Sequence, residues 1–251
     1  LNPIASIFGL SLAVEGKFDY FMKSMGFDKN DKQLSKHLIS SPFDYMNQMR
    51  VFIPSDTIDP NSIDFIAETE VFIDKLIRKT KGHCFLLFTS YSMLNYLYNK
   101  LEKYYNKKDY TLLKQGDYSR NEMIEIFRNA KNPILFGTDS FWEGVDVQGE
   151  QLKSVIIVKL PFKVPDDPVT EAIIEHIREN KGNPFNEFQV PQAVIKFKQG
   201  IGRLIRSKSD TGIITILDNR VITKYYGRKF LNSLPKTNII VDSKENIIEI
   251  I

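Results

Sequence analysis

From Arg50 onward, short apolar runs alternate with longer stretches in which apolar residues recur every three or four positions. The runs Val51–Pro54, Cys84–Phe88, Tyr110–Leu113, Ile134–Phe136, Ser154–Leu160 and Gly212–Leu217 predict strands. Several are apolar at consecutive positions, as expected of a parallel sheet covered on both faces. Between them, the periodicity predicts helices over Ser62–Thr80, Tyr91–Tyr105, Ser119–Asn129, Val169–Asn180, Gln192–Ser207 and Val221–Leu231. Ser119 with Glu122 has the spacing of a capping box, and Pro191 suits a first helical turn. Strands alternating with helices imply an α/β fold, a doubly wound, mostly parallel sheet with helices on both faces. Such sheets bind ligands at the carboxyl ends of their strands.

Residues 1–49 behave differently. Ala5–Val14 is apolar enough for one strand and Phe18–Met25 for one short helix, and His37–Asn47 reads as a linker with the turn signal Ser41-Pro42 inside it. This stretch is expected to be the tail of a preceding domain, with a second domain over 50–251. The 251 residues are 42% hydrophobic and 26% charged, an ordinary globular composition. A net charge of only +3 leaves no sequence-wide positive field, so any nucleic-acid contact must come from a local patch. No apolar run is long enough to cross a membrane, and no charged segment followed by an apolar core marks a secretory signal. The single cysteine, Cys84, excludes an internal disulfide and a cysteine-ligated iron–sulfur cluster within this piece, and its apolar setting predicts a buried thiol. His37, His83 and His176 are scattered, and no acid cluster has metal-ligand spacing. The chain reads as intracellular, and a cytoplasmic setting is expected.

Three stretches carry candidate chemistry. On a helix, Gln199, Arg203 and Arg206 would fall within roughly 60° of one another. Two guanidiniums on one stripe suit phosphate oxygens, and a solvated basic face is the alternative. Gly200 and Gly202 lie in the same predicted helix, at a cost of about 1 kcal/mol each relative to alanine, which suggests a close approach to the backbone. In the second stretch a strand ends at Gly137-Thr138 and a loop follows with Trp142, Glu143, Gly144 and Asp146. Gly137 and Gly144 would admit a ligand to the backbone, and the two acids could accept from ribose hydroxyls or face an arginine. A tight turn with solvated acids is the alternative, and Trp142 is expected in the core rather than stacked on a base. In the third stretch, Thr89-Ser90 follows an apolar strand at a helix start, either as a phosphate site or as a plain N-cap. No G-x-x-x-x-G-K-[ST] and no Asp-Glu-x-His occurs, so this piece alone is not expected to hydrolyse ATP.

These residues resemble a known family. Gln199-x-x-Gly202-Arg203-x-x-Arg206 resembles motif VI of superfamily 2 helicases, Gly137-Thr138 through Trp142-Glu143-Gly144-x-Asp146 resembles motif V, and Phe88-Thr89-Ser90 resembles motif IV. Phe141 to Asp146, with Lys159-Leu160-Pro161-Phe162 and Ser41-Pro42-Phe43-Asp44, narrows the resemblance to the DinG branch, related to XPD helicases. The resemblance covers essentially the whole chain. It implies the second RecA-like motor domain of an ATP-dependent DNA helicase, preceded by a first motor domain that carries the phosphate loop and most of the ATP and Mg²⁺ contacts. It further implies that Arg203 and Arg206 act as arginine fingers supported by Gln199. Glu143, Gly144, Asp146 and Gly202 would then line the nucleotide cleft. Thr89, Ser90, Gly137 and Thr138 would contact single-stranded DNA on the opposite surface, with 5′-to-3′ movement. Loss of the fingers is expected to abolish turnover without unfolding the domain.

One segment departs from the family. Members carry Thr-Ser-Ala-Thr-Leu before a Gly-x-Phe-Asp-Tyr-Phe run. Alignment on Gly16–Phe21 puts Phe8-Gly9-Leu10-Ser11-Leu12 there, without hydroxyls at the first two positions. Some Gram-positive relatives carry an N-terminal exonuclease domain. The second expectation is therefore a degenerate, ATP-responsive DNA-binding module of a 3′–5′ exonuclease. A third is a domain whose arginines meet nucleic-acid phosphates and never ATP.

Overall fold

A computed structural model of the chain describes residues 13–28, 34–105, 109–142 and 151–251. Two short helices come first, α1 (Asp19–Ser24) and α2 (Tyr45–Gln48). There follow β1 (Met49–Pro54), α3 (Phe65–Lys79), β2 (Cys84–Leu87), α4 (Tyr91–Tyr105), β3 (Thr111–Lys114), α5 (Arg120–Asn129), β4 (Pro133–Gly137), α6 (Asp139–Trp142) and β5 (Ser154–Ile157). The rest is α7 (Pro168–Glu179), a π-helical turn (Phe185–Gln189), α8 (Val190–Ile201), β6 (Gly212–Ile216), α9 (Arg220–Thr223), α10 (Gly227–Ser233), β7 (Asn238–Asp242) and α11 (Lys244–Ile250). The strands form one seven-stranded sheet in the order β3-β4-β2-β5-β6-β1-β7, and every pairing is parallel.

Alternation along the central strands divides the core into two layers, because successive side chains leave a strand on opposite faces. Val51, Ile53, Phe85, Leu87, Leu135, Val155, Ile157, Ile214 and Ile216 face one cluster with α5, α8 and α10. Phe52, Cys84, Leu86, Phe88, Ile134, Phe136, Ile156 and Ile213 face the other with α3, α4 and α11. Both faces are dry, which is why these strands read as continuous apolar runs.

The capping box at Ser119 and Glu122 is present, and Asp167 caps α7 by accepting from the Thr170 amide at 2.9 Å. Lys163 beside it, with the Thr170 hydroxyl and amide, holds the Asp167 carboxyl well below the usual carboxylate range. The segment before β1 packs back on the body. Lys23 pairs with Glu187, Lys198 Nζ donates to the Ala13 carbonyl, and Tyr20 lies against Ile174, Ile177 and Phe188. Of the expected strand Ala5–Val14, residues 5–12 lie outside the described residues. Val14 makes an antiparallel bridge to Lys17.

Cys84 sits fully buried in β2, as expected, and burial pushes its thiol far up from its ordinary range. Thiolate, not thiol, is the nucleophile. Cys84 is therefore expected to resist a disulfide reagent at pH 8 in the folded protein and to react at once in denaturant, as thiol titration with and without guanidinium would show.

Candidate functional site

The candidate residues divide between two regions. The first is the carboxyl edge, where β2 and β4 lie side by side with Leu87 opposite Gly137. Thr89-Ser90 leaves β2 there and Thr138 leaves β4. Ser90 Oγ accepts from the Met93 amide at 3.4 Å, so it serves as a helix cap as the plainer reading expects. Thr138 is only 4% exposed, and its amide and hydroxyl both donate to Gln115 Oε1, at 2.6 and 3.1 Å. Gln115 Nε2 in turn donates to the Tyr91 hydroxyl at 2.6 Å. Gly137 makes room for protein rather than ligand, since a Cβ there would lie 2.5 Å from Phe141 Cβ. On α6, Asp139 pairs with Lys196 of α8.

The second region is the turn between α8 and β6. The expected helix to Ser207 ends at Ile201, with Gly202 as its C-cap. Arg203 and Arg206 therefore do not share a helical stripe with Gln199. Two local features stop the helix. Gly202 lowers the cost of leaving it, and Asp210 Oδ2 takes the amides of Arg206 and Ser207 at 2.7 and 2.8 Å. Gln48 Nε2 then pins the turn by donating to the carbonyls of Ser207 and Asp210. Because Gln48 precedes β1, and Met49 pairs with Gly212 at the start of β6, this turn lies at the amino end of β6. A ligand site at the carboxyl ends alone would miss it.

Trp142 joins the two regions. Its indole N–H donates to the Phe88 carbonyl at 2.9 Å, and its own carbonyl accepts from Arg203 Nη2 at 2.8 Å. The indole is fully buried, as expected of a core residue, and lies against Gly200, where a Cβ would stand 2.7 Å from Trp142 Cε3. The close approach that the glycine serves is that of a side chain. Arg203 is itself 4% exposed, whereas Arg206 is half-buried. Gln199 Oε1 is buried with no hydrogen-bond partner among the described residues. Glu143, Gly144 and Asp146 lie outside the described residues, as does Phe8–Leu12.

The sequence reading missed a further cluster on the carboxyl edge, after β5 and β6. Asp218 is fully buried. Its carboxylate accepts from the Leu160 amide at 2.8 Å and from Arg220 Nε and Nη2 at 2.9 and 2.6 Å. Arg220 lies over the Phe162 ring, and Lys159 lies over Phe65. Burial, with the charge of Arg220 adding to it, pulls the Lys159 ammonium below its ordinary range. An acid followed two residues later by an arginine at a strand end was the available signal. Gln115 offered none that a local pattern would reveal. Among the described residues no group of His, Cys, Asp and Glu gathers as a metal site, and no helix is long and apolar enough to cross a membrane.

The helicase C-terminal domain profile matches residues 73–237, from α3 through α10 and across the arginine turn. The chain belongs to the helicase C-terminal domain family. It is a domain of the DinG and YoaA type. It is 39% identical over 229 residues to the ATP-dependent DNA helicase YoaA of Haemophilus influenzae, covering 91% of this chain and 34% of that protein. It is 38% identical over 234 residues to the 3′-5′ exonuclease DinG of Bacillus subtilis, covering 91% of this chain and 25% of that protein. Against the ATP-dependent DNA helicase DinG of Photobacterium profundum it is 36% identical over 244 residues, covering 95% and 35%. The helicase domain thus spans a quarter to about a third of the length of these relatives. In fold it is similar to a solved XPD helicase, with a TM-score of 0.61 at 18% identity, covering 89% of this chain and 40% of that one. Dbp5 of S. cerevisiae, solved with RNA and ADP BeF3, follows at a TM-score of 0.50 and 14% identity, covering 82% and 44%. The all-parallel, seven-stranded sheet of this chain is RecA-like, the fold it has in common with these structures.

Proposed function

We propose that this helicase domain is the second motor domain of an ATP-dependent DNA helicase, with residues 1–49 as the tail of the first motor domain and its linker. The observation that carries the reading is the Arg203–Trp142–Phe88 connection. One residue ties the arginine turn to the strand end bearing Thr89 and Ser90. A motor must relate its nucleotide state to its grip on DNA, and one buried residue, bonded through its carbonyl on one side and its indole on the other, is a short physical route between the two.

On this reading Arg206 and Arg203 stabilise charge on the γ-phosphate, and Thr89, Ser90 and Thr138 meet DNA phosphates. The two guanidiniums suit phosphate oxygens, and Gln199 Oε1, an acceptor, suits a water hydrogen rather than a phosphate oxygen. Gln199 Oε1 is a buried acceptor left over one turn before Arg203, and such an atom costs about 1–3 kcal/mol unless a ligand or water meets it. ATP supplies the phosphoryl group whose transfer to water releases the energy for movement. Gln199 orients a water, and the arginines hold negative charge. The first motor domain would bring the phosphate loop and the Mg²⁺ contacts. This chain alone would then be inactive, and the intact protein would work in the cytoplasm on single-stranded DNA.

A second reading is favoured by two observations. Phe8-Gly9-Leu10-Ser11-Leu12 stands where the family carries hydroxyls, and a relative with the same domain is named a 3′-5′ exonuclease. The domain would then act as an ATP-responsive DNA-binding switch beside a nuclease. Measuring ATP hydrolysis by the intact protein, with and without single-stranded DNA, separates the two. Turnover stimulated by DNA is expected. No turnover, with nucleotide still altering DNA binding or cleavage, would establish the switch instead.

A further inference from the structure

We infer that Gln115 stands in for a DNA phosphate oxygen at Thr138, so that a strand binds there only by displacing it. The inference rests on the reading of Thr138 as a DNA contact. Thr138 offers two donors, its amide N–H and its hydroxyl. Both point at one atom, Gln115 Oε1, at 2.6 and 3.1 Å. That atom must be the carbonyl oxygen of the side-chain amide, because a backbone N–H can only donate. The oxygen carries no proton, so the hydroxyl donates to it as well. Both hydrogens that a phosphate oxygen would need are therefore already committed to a neutral acceptor.

The same amide is tethered elsewhere. Its Nε2 donates to the hydroxyl of Tyr91, a residue 53% exposed at the first position of α4. The backbone N–H of Gln115 donates to the Phe136 carbonyl, which fixes the base of the side chain beside β4. Its far end can rotate toward solvent, with Tyr91 as a second holding point. A phosphodiester oxygen is charged, and charge-assisted hydrogen bonds are roughly twice as strong as neutral ones. DNA can thus win the exchange. The donors of Thr138 are met by the amide before the exchange and by the phosphate after it, and the affinity of the edge for a strand is set by the difference between the two acceptors.

This predicts a sign opposite to that of a structural brace. In the intact protein, Gln115→Ala should tighten binding of a fluorescently labelled oligothymidylate by about three- to tenfold, read by anisotropy at fixed salt. Gln115→Met, which keeps the volume and loses the carbonyl, should do the same and covers the case in which the alanine variant does not fold. Thr138→Val should weaken binding, and in its background the gain from either Gln115 change should shrink. If both Gln115 variants leave binding unchanged or weaken it while Thr138→Val weakens it, Gln115 is a brace and the exchange is wrong, though the DNA reading survives. If Thr138→Val changes nothing, the Thr138 hydroxyl is not a DNA contact, and the two-donor exchange falls with that reading.

Discussion

Arg206→Ala in the intact protein is expected to lower DNA-stimulated ATP turnover by about 10³-fold or more, with little change in melting temperature. Arginine fingers in nucleotide hydrolases contribute about 10³–10⁵ in rate by meeting charge that develops on the transferring phosphoryl group. Main-chain bonds hold the turn around Arg206 independently of its guanidinium. The turn is held by the Arg206 and Ser207 amides on Asp210 and by Gln48 across the carbonyls. All of these survive truncation of the side chain. Arg206→Lys should fail as well, since an ammonium lacks the planar fork that grips two oxygens. Arg203 is a different case. Its guanidinium is buried and donates to the Trp142 carbonyl. Truncation there should cost about 1–3 kcal/mol of stability in addition to turnover, because a buried acceptor is left without its donor. The family resemblance alone puts the two arginines on one footing, and burial separates them. If Arg206→Ala leaves turnover intact but weakens DNA binding and flattens its salt dependence, the arginine reads nucleic-acid phosphate and is not a finger.

What was legible in the sequence follows from where information is local. The central strands β1, β2, β4, β5 and β6 are buried on both faces, and their apolar runs show it without any partner in view. β7 escaped because it is an edge strand. Ile239 and Val241 remain half-exposed, and polar Asn238 and Asp242 bound a short run. The predicted helix over Val221–Leu231 breaks into α9 and α10. Gly227 sits at the break, where a Cβ would lie 2.2 Å from the Val221 carbonyl oxygen. The arginines were legible as residue types, but their geometry was not. The end of α8 depends on Asp210 and on Gln48, and the latter lies more than 150 positions away from the turn it pins. Gln115 was invisible for the same reason. A neutral amide after a strand has no local signature, and its role comes from Thr138 after β4 and Tyr91 at the start of α4.

Asp218→Ala should be among the most destabilising single changes in the chain, at about 3–5 kcal/mol. The carboxylate is fully buried and receives four hydrogen bonds, from the amides of Leu160 and Arg220 and from two guanidinium nitrogens of Arg220. Removing it leaves a largely buried cation and a buried N–H with nothing to meet, and that loss exceeds the modest net worth of the bonds themselves. At about 2–4 °C per kcal/mol for a domain of this size, the melting temperature should fall by about 6–20 °C. Asp218→Asn keeps the shape and one acceptor for Leu160, so its loss should be smaller. The double change Asp218→Leu with Arg220→Met removes both charges and should recover part of the stability. That recovery would show that the cost lies in the stranded charge. The position also matters for the site. Asp218 fixes Leu160 at the head of Lys159-Leu160-Pro161-Phe162, and Arg220 stacks on Phe162. The loop after β5 and the loop after β6 are thereby one rigid unit on the same edge as Thr89 and Thr138. An Asp218→Ala protein that melts within a degree or two of the wild type would mean that water enters this cluster and that the carboxylate is not the clamp between the two loops.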